Sequence, residues 1–324
     1  MVVTSKHPST DLTVPKSQKA AVFEEWGKPV RIVERPVIQE SELKPGQVLV
    51  KVMYSGVCHT DLHTARGEWP VMPPTPLVGG HEGAGFVVAI GAGTQSPIKV
   101  GQAVGVKWIG SSCLSNEPIC ADAIKTGLLA DGTFQQYVVS YAAHVTPIPA
   151  SVPLHLAAPI LCAGVTVYKA IKQADTLPGD IVVIPGAGGG LGESSCNPES
   201  SNLVEDVIRA ADGVGVHAAI VTSGSAAGYS QALQYLRPAG TLVAVGAPPG
   251  AKLEVDIVAS IPRNIAIKIS YVGNREDARQ ALDMVARGRV HTTCRVEPLA
   301  KLPDVFEEMQ EGKFAGRIVL DLWS

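Results

Sequence analysis

Three short segments carry side chains that could do chemistry together. G-V-C-H-T-D-L-H (56–63) places Cys58, His59, Thr60, Asp61 and His63 within a few residues of one another. G-G-H-E-G-A-G (79–85) adds His81 and Glu82, and L-C-A-G (161–164) adds Cys162. One imidazole and two thiolates from separate segments suit a tetrahedral zinc with its fourth position open, the arrangement of a catalytic metal. On residue types alone the alternative stays open that these are buried core residues. A fourth stretch, I-V-V-I-P-G-A-G-G-G-L-G (181–192), runs from an apolar segment into a glycine turn, the pattern in which a helix N-terminus holds a pyrophosphate. The glycines then run into E-S-S-C-N-P-E-S-S (193–201), where Pro198 and the lack of apolar residues at helical spacing argue against that helix.

The elements that must position these groups fall into two kinds. From about 19 to 150 the chain is β-rich, as in Q-V-L-V-K-V-M-Y-S-G-V-C (47–58), G-A-G-F-V-V-A-I-G (83–91) and F-Q-Q-Y-V-V-S (134–140). Beyond about 160, helical and strand patterns alternate. Helices are expected at 163–174, 203–211 (capped by Asn202), 229–236 and 276–288; strands are expected at 181–184, 217–223, 241–246 and 265–273. That alternation implies a parallel sheet. A last helix (DVFEEMQEG) and strand (RIVLDLW) close the chain. The 324 residues, 46% apolar and 18% charged, suffice for two domains. A net charge of −3 without a basic block gives no reason to invoke nucleic acid. The polar, proline-containing start lacks the apolar core of a secretory signal, and no stretch is long enough to span a bilayer. The expectation is a cytoplasmic protein with no membrane partner, whose six cysteines serve thiolate or metal chemistry sooner than disulfides.

In this order, G-V-C-H-T-D-L-H, V-G-G-H-E-G-A-G and L-C-A-G-V-T-V-Y-K-A closely resemble the zinc-dependent medium-chain alcohol dehydrogenases, especially the yeast-type branch. G-V-K-W (105–108), D-G-T-F-Q-Q-Y (131–137), S-Y-V-G-N-R (270–275) and G-R-I-V-L-D (316–321) extend the likeness over nearly the whole chain. The resemblance implies a two-domain α/β protein: after the polar start (1–18), read from its composition as a flexible arm, come a GroES-like, β-rich catalytic zinc domain (19–165), a truncated Rossmann-type nucleotide-binding domain (166–288) and a C-terminal segment (289–324) returning to the catalytic domain. It implies Cys58, His81 and Cys162 as ligands of one catalytic zinc. Thr60 would take the alcohol proton, His63 would relay it to solvent, and Asp61 would orient His81. Glu82 would stand behind the metal, or simply tie two segments by a hydrogen bond. Trp69 and Trp108 would wall a narrow slot for small primary alcohols or their aldehydes. His59 and Arg317 match cofactor-phosphate contacts, with solvated surface charge as the alternative. Thr166, Val245 and Gly246 match the nicotinamide side, and Gly186, Gly189, Gly190 and Gly192 the cofactor loop. The cofactor implied is NAD, with NADP not excluded, in a homo-oligomer.

The chain departs from the family pattern twice. The lobe that often carries four cysteines and a structural zinc here offers only Cys113 and Cys120, in S-S-C-L-S-N-E-P-I-C (111–120). Two thiolates do not close such a site, so no structural zinc is expected, and the pair is left to a loose lobe or to a disulfide formed on oxidation. After Gly192 the family's helix, acid-terminated strand and following elements give way to polar residues, and the match resumes near Leu203. The sheet is then incomplete, with the strand at 181–184 a buried, all-apolar edge. Asp212 lies at the usual offset for a ribose-binding acid, but before a strand and so at the wrong end of the sheet. The leading expectation is zinc-assisted hydride transfer between a small alcohol or aldehyde and a nicotinamide. The competing one is a zinc-binding relic, or an incomplete gene model, without productive cofactor binding.

Overall fold

Gln47–Val57 is the longest strand among the described residues, and it is buried along most of its length on both faces. A computed structural model describes residues 11–70, 72–186, 202–223, 226–247, 250, 252–312 and 316–324. The chain divides into two compact units, one of residues 1–165 and 273–324 and the other of 166–272.

The first unit contains β1 (Ser17–Phe23), β2 (Arg31–Pro36), β3 (Gln47–Val57), β4 (Leu77–Val78), β5 (Glu82–Ile90), β6 (Ala103–Val106), β7 (Ile109–Ser111), β8 (Ile124–Lys125), β9 (Tyr137–Tyr141) and β10 (Thr146–Pro147). Helices α1 (His59–Arg66) and α2 (Leu154–Ala157) belong to it, and α3 (Ala163–Gln173) carries the chain across the boundary. The second unit holds β11 (Val182–Val183), α4 (Leu203–Ala210), β12 (Val216–Val221), α5 (Ala226–Tyr235), β13 (Leu236–Ala244), α6 (Ile257–Ser260) and β14 (Ala266–Ile269). The chain then returns to the first unit with α7 (Arg275–Ala286), β15 (Cys294–Pro298), α8 (Leu302–Gln310) and β16 (Arg317–Asp321).

In the first unit β3 is the hub of a mixed sheet ordered β10-β6-β5-β3-β16-β15, with β9 also paired to β3. Because both of its faces are covered, its sequence is almost continuously apolar instead of alternating. Register shifts at Leu49/Val50 and Val52/Tyr54 bend it against β5. Phe23, Val50, Val52, Phe134, Leu302, Ile318 and Leu320 are buried in one core, to which the returning C-terminal segment contributes.

The second unit is a parallel sheet ordered β11-β12-β13-β14, each strand paired with its sequence successor. Among the described residues β11 is an edge, but it is only two residues long and half-buried, and Ile184 is exposed. A short, partly wetted edge is less hazardous than the buried one expected from the sequence.

Three other expectations differ in detail. The helix at 275–286 falls in the first unit, where the sequence reading kept it with the nucleotide-binding domain through 288. Residues 11–16 are not a free arm: Leu12 and Val14 pack on the cluster around Leu49 and Tyr137, and the Tyr137 hydroxyl donates to Thr13 O at 3.3 Å. Asn202 stands at the N-cap of α4, but its side chain makes no capping bond.

Candidate active site

The sheet of the first unit brings three sequence-distant segments to one end. Gly56 pairs with Glu82 across β3 and β5, and with Val319 across β3 and β16. The last residues of β3, the first of β5 and the first of β16 are therefore neighbours. Cys58 follows β3 as N-cap of α1, His81 immediately precedes β5, and Arg317 opens β16. Cys162 caps the short 3-10 helix Ala158–Leu161. A glycine is required at position 56, because a Cβ there would stand 2.0 Å from Glu82 Oε2.

Ligand atoms of Cys58, His81, Glu82 and Cys162 all lie within 4.8 Å of one another. Cys58 Sγ is 4.0 Å from Cys162 Sγ, which in turn is 3.2 Å from His81 Nε2. The other imidazole nitrogen donates to Asp61 Oδ1 at 2.9 Å, while Asp61 Oδ2 accepts from the backbone N–H of Cys58 at 2.9 Å. Asp61 thus fixes the His81 ring and the Cys58 backbone together, from the first turn of α1. The Trp108 ring meets His81 edge-on at 4.9 Å.

Arg317 donates to Glu82 Oε1 inside the cluster. Its side chain is only 10% exposed, so the surface-charge alternative does not hold; its described partner is a carboxylate. Burial raises Glu82 to about 7, offset in part by Arg317. A hydrogen bond from Cys162 holds Cys58 well below the ordinary thiol range despite burial, with His81 assisting. Donating that bond, and burial, push Cys162 up. Burial opposes charge on His81, but Asp61 and Cys58 outweigh it and raise the imidazole well above its usual value.

The donor set fits zinc: two sulfurs, an imidazole whose far nitrogen is held by a carboxylate, and a carboxylate oxygen in reserve. Glu82 Oε2 is buried without a hydrogen-bond partner, an acceptor whose cost of burial a nearby cation would offset. Metal entry would require Cys162 and His81 to release protons, so uptake is pH-dependent.

Around this cluster, Thr60 is half-exposed on α1, and its carbonyl accepts from the Thr64 hydroxyl at 2.8 Å. His63 Nδ1 donates to Glu68 Oε2 at 2.5 Å, and its ring meets Trp69 edge-on. Trp69 Nε1 donates to Thr64 Oγ1 at 3.0 Å. His59 keeps part of its surface in solvent, and partial desolvation of its ring lowers its pKa.

In the second unit, Gly186, Ser223 and Gly246 each lie just beyond the carboxyl end of β11, β12 or β13. They are in close contact. A Cβ on Gly186, which has φ +87, would lie 2.6 Å from Ser223 N, and one on Gly246 would lie 2.2 Å from Ser223 O. Tyr229 holds the Gly246 carbonyl through its hydroxyl. Val245 and Thr166 are half-buried. Ligands of open parallel sheets bind outside these strand ends. Gly189, Gly190 and Gly192 lie outside the described residues.

The family model of the alcohol dehydrogenase GroES-like domain matches residues 44–150, and that of the zinc-binding dehydrogenases matches 191–287. Alcohol dehydrogenase 1 of Emericella nidulans is 42% identical over 352 residues, covering 96% of this chain and 99% of that protein. The chain belongs to the zinc-dependent medium-chain alcohol dehydrogenase family. The alcohol dehydrogenase of Schizosaccharomyces pombe is likewise 42% identical, over 354 residues, 96% of this chain and 99% of that protein. Among solved structures, the alcohol dehydrogenase of the archaeon Aeropyrum pernix has a TM-score of 0.83 at 26% identity, over 94% of this chain and 99% of that one. The chain is thus a family oxidoreductase with a GroES-like unit and a Rossmann-type unit.

Sequence reasoning missed Glu68 and Ser223. The i, i+5 spacing of His63 and Glu68 is no helical signal, because Gly67 ends α1 in a left-handed turn that swings Glu68 back. Ser223 enters through a close backbone approach to Gly186 and Gly246, which has no signature of its own in the sequence. The Glu82–Arg317 pair was also unforeseen: its 235-residue separation closes only when β16 joins the sheet.

Proposed function

We propose that the chain catalyses hydride transfer between a small primary alcohol or aldehyde and a nicotinamide cofactor. The observation that carries this reading is the buried convergence of Cys58, His81 and Cys162, with Asp61 fixing the imidazole. These three residues would hold one zinc per chain, with Glu82 as the neighbouring carboxylate. Zinc, when bound, supplies Lewis-acid polarisation of the alcohol oxygen. Thr60 accepts the hydroxyl proton and passes it to His63, whose Nδ1 is engaged by Glu68 and whose other nitrogen is left to exchange with solvent. Trp69 and Trp108 shape a narrow slot that favours unbranched alcohols. Thr166, Val245 and Gly246 contact the nicotinamide, with Gly186 and the glycines that follow it on the phosphate side. His59 and Arg317 are the candidate phosphate-binding cations; Arg317 would share its guanidinium with Glu82. The cofactor is NAD or NADP. The relic reading is not favoured: alcohol dehydrogenases 42% identical over nearly the full length, and the convergence of the ligand cluster, support the enzyme.

No single helix among the described residues is long and apolar enough to cross a membrane. A homo-oligomer is supported by β14, an edge strand among the described residues, on which Ile267 and Ile269 are exposed. The lobe with Cys113 and Cys120 holds no zinc in this reading.

The test combines metal analysis with an alcohol-dependent assay of nicotinamide reduction. One zinc per chain, lost in Cys58→Ala together with activity, is the expected result. Two zincs per chain would overturn the reading of the lobe, and full activity in metal-free protein would overturn the reading of the site.

A further inference from the structure

Two thiols that no proposed step uses lie together in the loop 111–120. Both Cys113 and Cys120 are free, Cys113 exposed and Cys120 half-buried. The backbone N–H of Cys113 donates to Cys120 Sγ at 3.2 Å, which brings the Cys120 sulfur back against the start of the loop. Backbone N–H groups of Ser115 and, less strongly, Asn116 turn onto the Cys113 sulfur and, with Cys120, lower its pKa. The reversal that aims them there runs through Leu114, at φ +65.

The middle of the loop is anchored. Glu117 is buried, accepts from Arg275 Nε at 2.6 Å and from the Arg275 backbone N–H at 3.0 Å, and lies 3.9 Å from Lys107 Nζ. With Glu117 fixed, the flanking cysteines are held at the two ends of a closed turn. Among the described residues, no metal-competent cluster of three or more His, Cys, Asp or Glu includes them.

We propose that Cys113 and Cys120 form a reversible disulfide, closing the loop around Glu117, with a low-molecular-weight disulfide such as glutathione disulfide as oxidant. The Cys113 thiolate attacks one glutathione sulfur, the glutathione disulfide bond breaks, and the first glutathione leaves as a thiolate and takes up a proton. Cys120, deprotonated, then attacks the Cys113 sulfur of the mixed disulfide and releases the second glutathione. Two protein thiols are oxidised and one glutathione disulfide is reduced to two glutathiones. The exposed, N–H-stabilised Cys113 is suited to the first attack, and Cys120 is in place to resolve it.

The experiment treats zinc-loaded, full-length protein with glutathione disulfide, alkylates the remaining thiols and maps the peptides by mass spectrometry. The expected product has lost the mass of two hydrogen atoms, carries a Cys113–Cys120 cross-link and reverts with dithiothreitol. Cys113→Ser should abolish the cross-link and leave Cys120 alkylatable, with alcohol oxidation unchanged. A stable glutathione adduct on Cys113 with Cys120 still free would overturn the proposal. So would a cross-link confined to other cysteines, or a zinc ion lost selectively in Cys113→Ser.

Discussion

Asp61 Oδ1 accepts from His81 Nδ1 at 2.9 Å, both residues fully inside the protein, while its second oxygen takes the Cys58 backbone N–H. One carboxylate thus fixes two of the three proposed zinc ligands. Asp61→Asn keeps the shape but removes the charge that favours a donating Nδ1–H and an available Nε2. Partners of this kind are worth about 10- to 100-fold in metal affinity. Asp61→Asn should lose zinc to a chelator at correspondingly lower concentration, and unchanged retention would show that the pair is only structural.

Trp108 meets the His81 ring edge-on and is buried. If it also walls the alcohol slot, wild-type protein should oxidise short primary alcohols better than branched secondary ones, and Trp108→Ala should narrow that gap. Zinc content is measured alongside, to separate a wider pocket from a disturbed His81. A wild-type preference for bulky secondary alcohols would count against the slot.

Glu68 is the least anticipated member of the site. It holds His63 Nδ1 at 2.5 Å and lies 3.5 Å from Arg66. If it orients the relay, Glu68→Gln should lower kcat about tenfold, roughly 1.4 kcal/mol of transition-state stabilisation, with KM little changed. The solvent isotope effect on kcat should rise as proton transfer becomes more limiting. A raised KM with normal kcat would place Glu68 in substrate binding instead.

The contrast between Asp61 and Glu68 shows what the sequence makes legible. Asp61 sits inside a dense cluster of chemistry-bearing residues, and its role follows from the local motif. Glu68 acts through a left-handed turn at Gly67, which residue types do not announce. The same holds for Arg317: its strand is readable from R-I-V-L-D, but its burial on Glu82 depends on strand pairing across the chain. The second unit was legible where strands and helices alternate. It was less so at 181–184, where an apolar run alone does not reveal that a sheet edge is short and partly wetted.

His144 is buried, bonded through Nε2 to Ser112 Oγ at 2.9 Å, and its Nδ1 has no partner. Burial, and then the nearby Lys107, push its pKa from 6.5 down to about 4, with Arg275 adding and Glu117 opposing. Below 6.5 the unfolded chain takes up a proton that the folded chain refuses. Stability from this group is therefore complete above 6.5 and is lost as the pH falls toward about 4. Denaturant midpoints measured across that window should fall in wild-type protein and fall less in His144→Gln. An equal slope in the two proteins would remove His144 from the account.

The cofactor prediction follows from what stands at the strand ends of the second unit. Gly186, Ser223 and Gly246 form a close-packed group beyond β11, β12 and β13, where the proposed reading puts the nicotinamide and the phosphates. The adenosine side differs. Asp212 lies in the turn between α4 and β12, at φ +58, on the amino side of that strand. It is therefore at the opposite end of the sheet from the ligand. A carboxylate bonded to a ribose hydroxyl contributes about 1.5–3 kcal/mol, so its loss weakens NADH binding roughly ten- to a hundredfold. The same carboxylate would repel the extra phosphate of NADPH, so without it the two cofactors lose their main point of distinction. Parallel fluorescence titrations with NADH and NADPH should give weak and similar affinities, with turnover that rises steeply with cofactor concentration. Tight binding with a strong preference for NADH would mean that another acid has taken the ribose, with Glu193 and Glu199, both outside the described residues, as the first to replace.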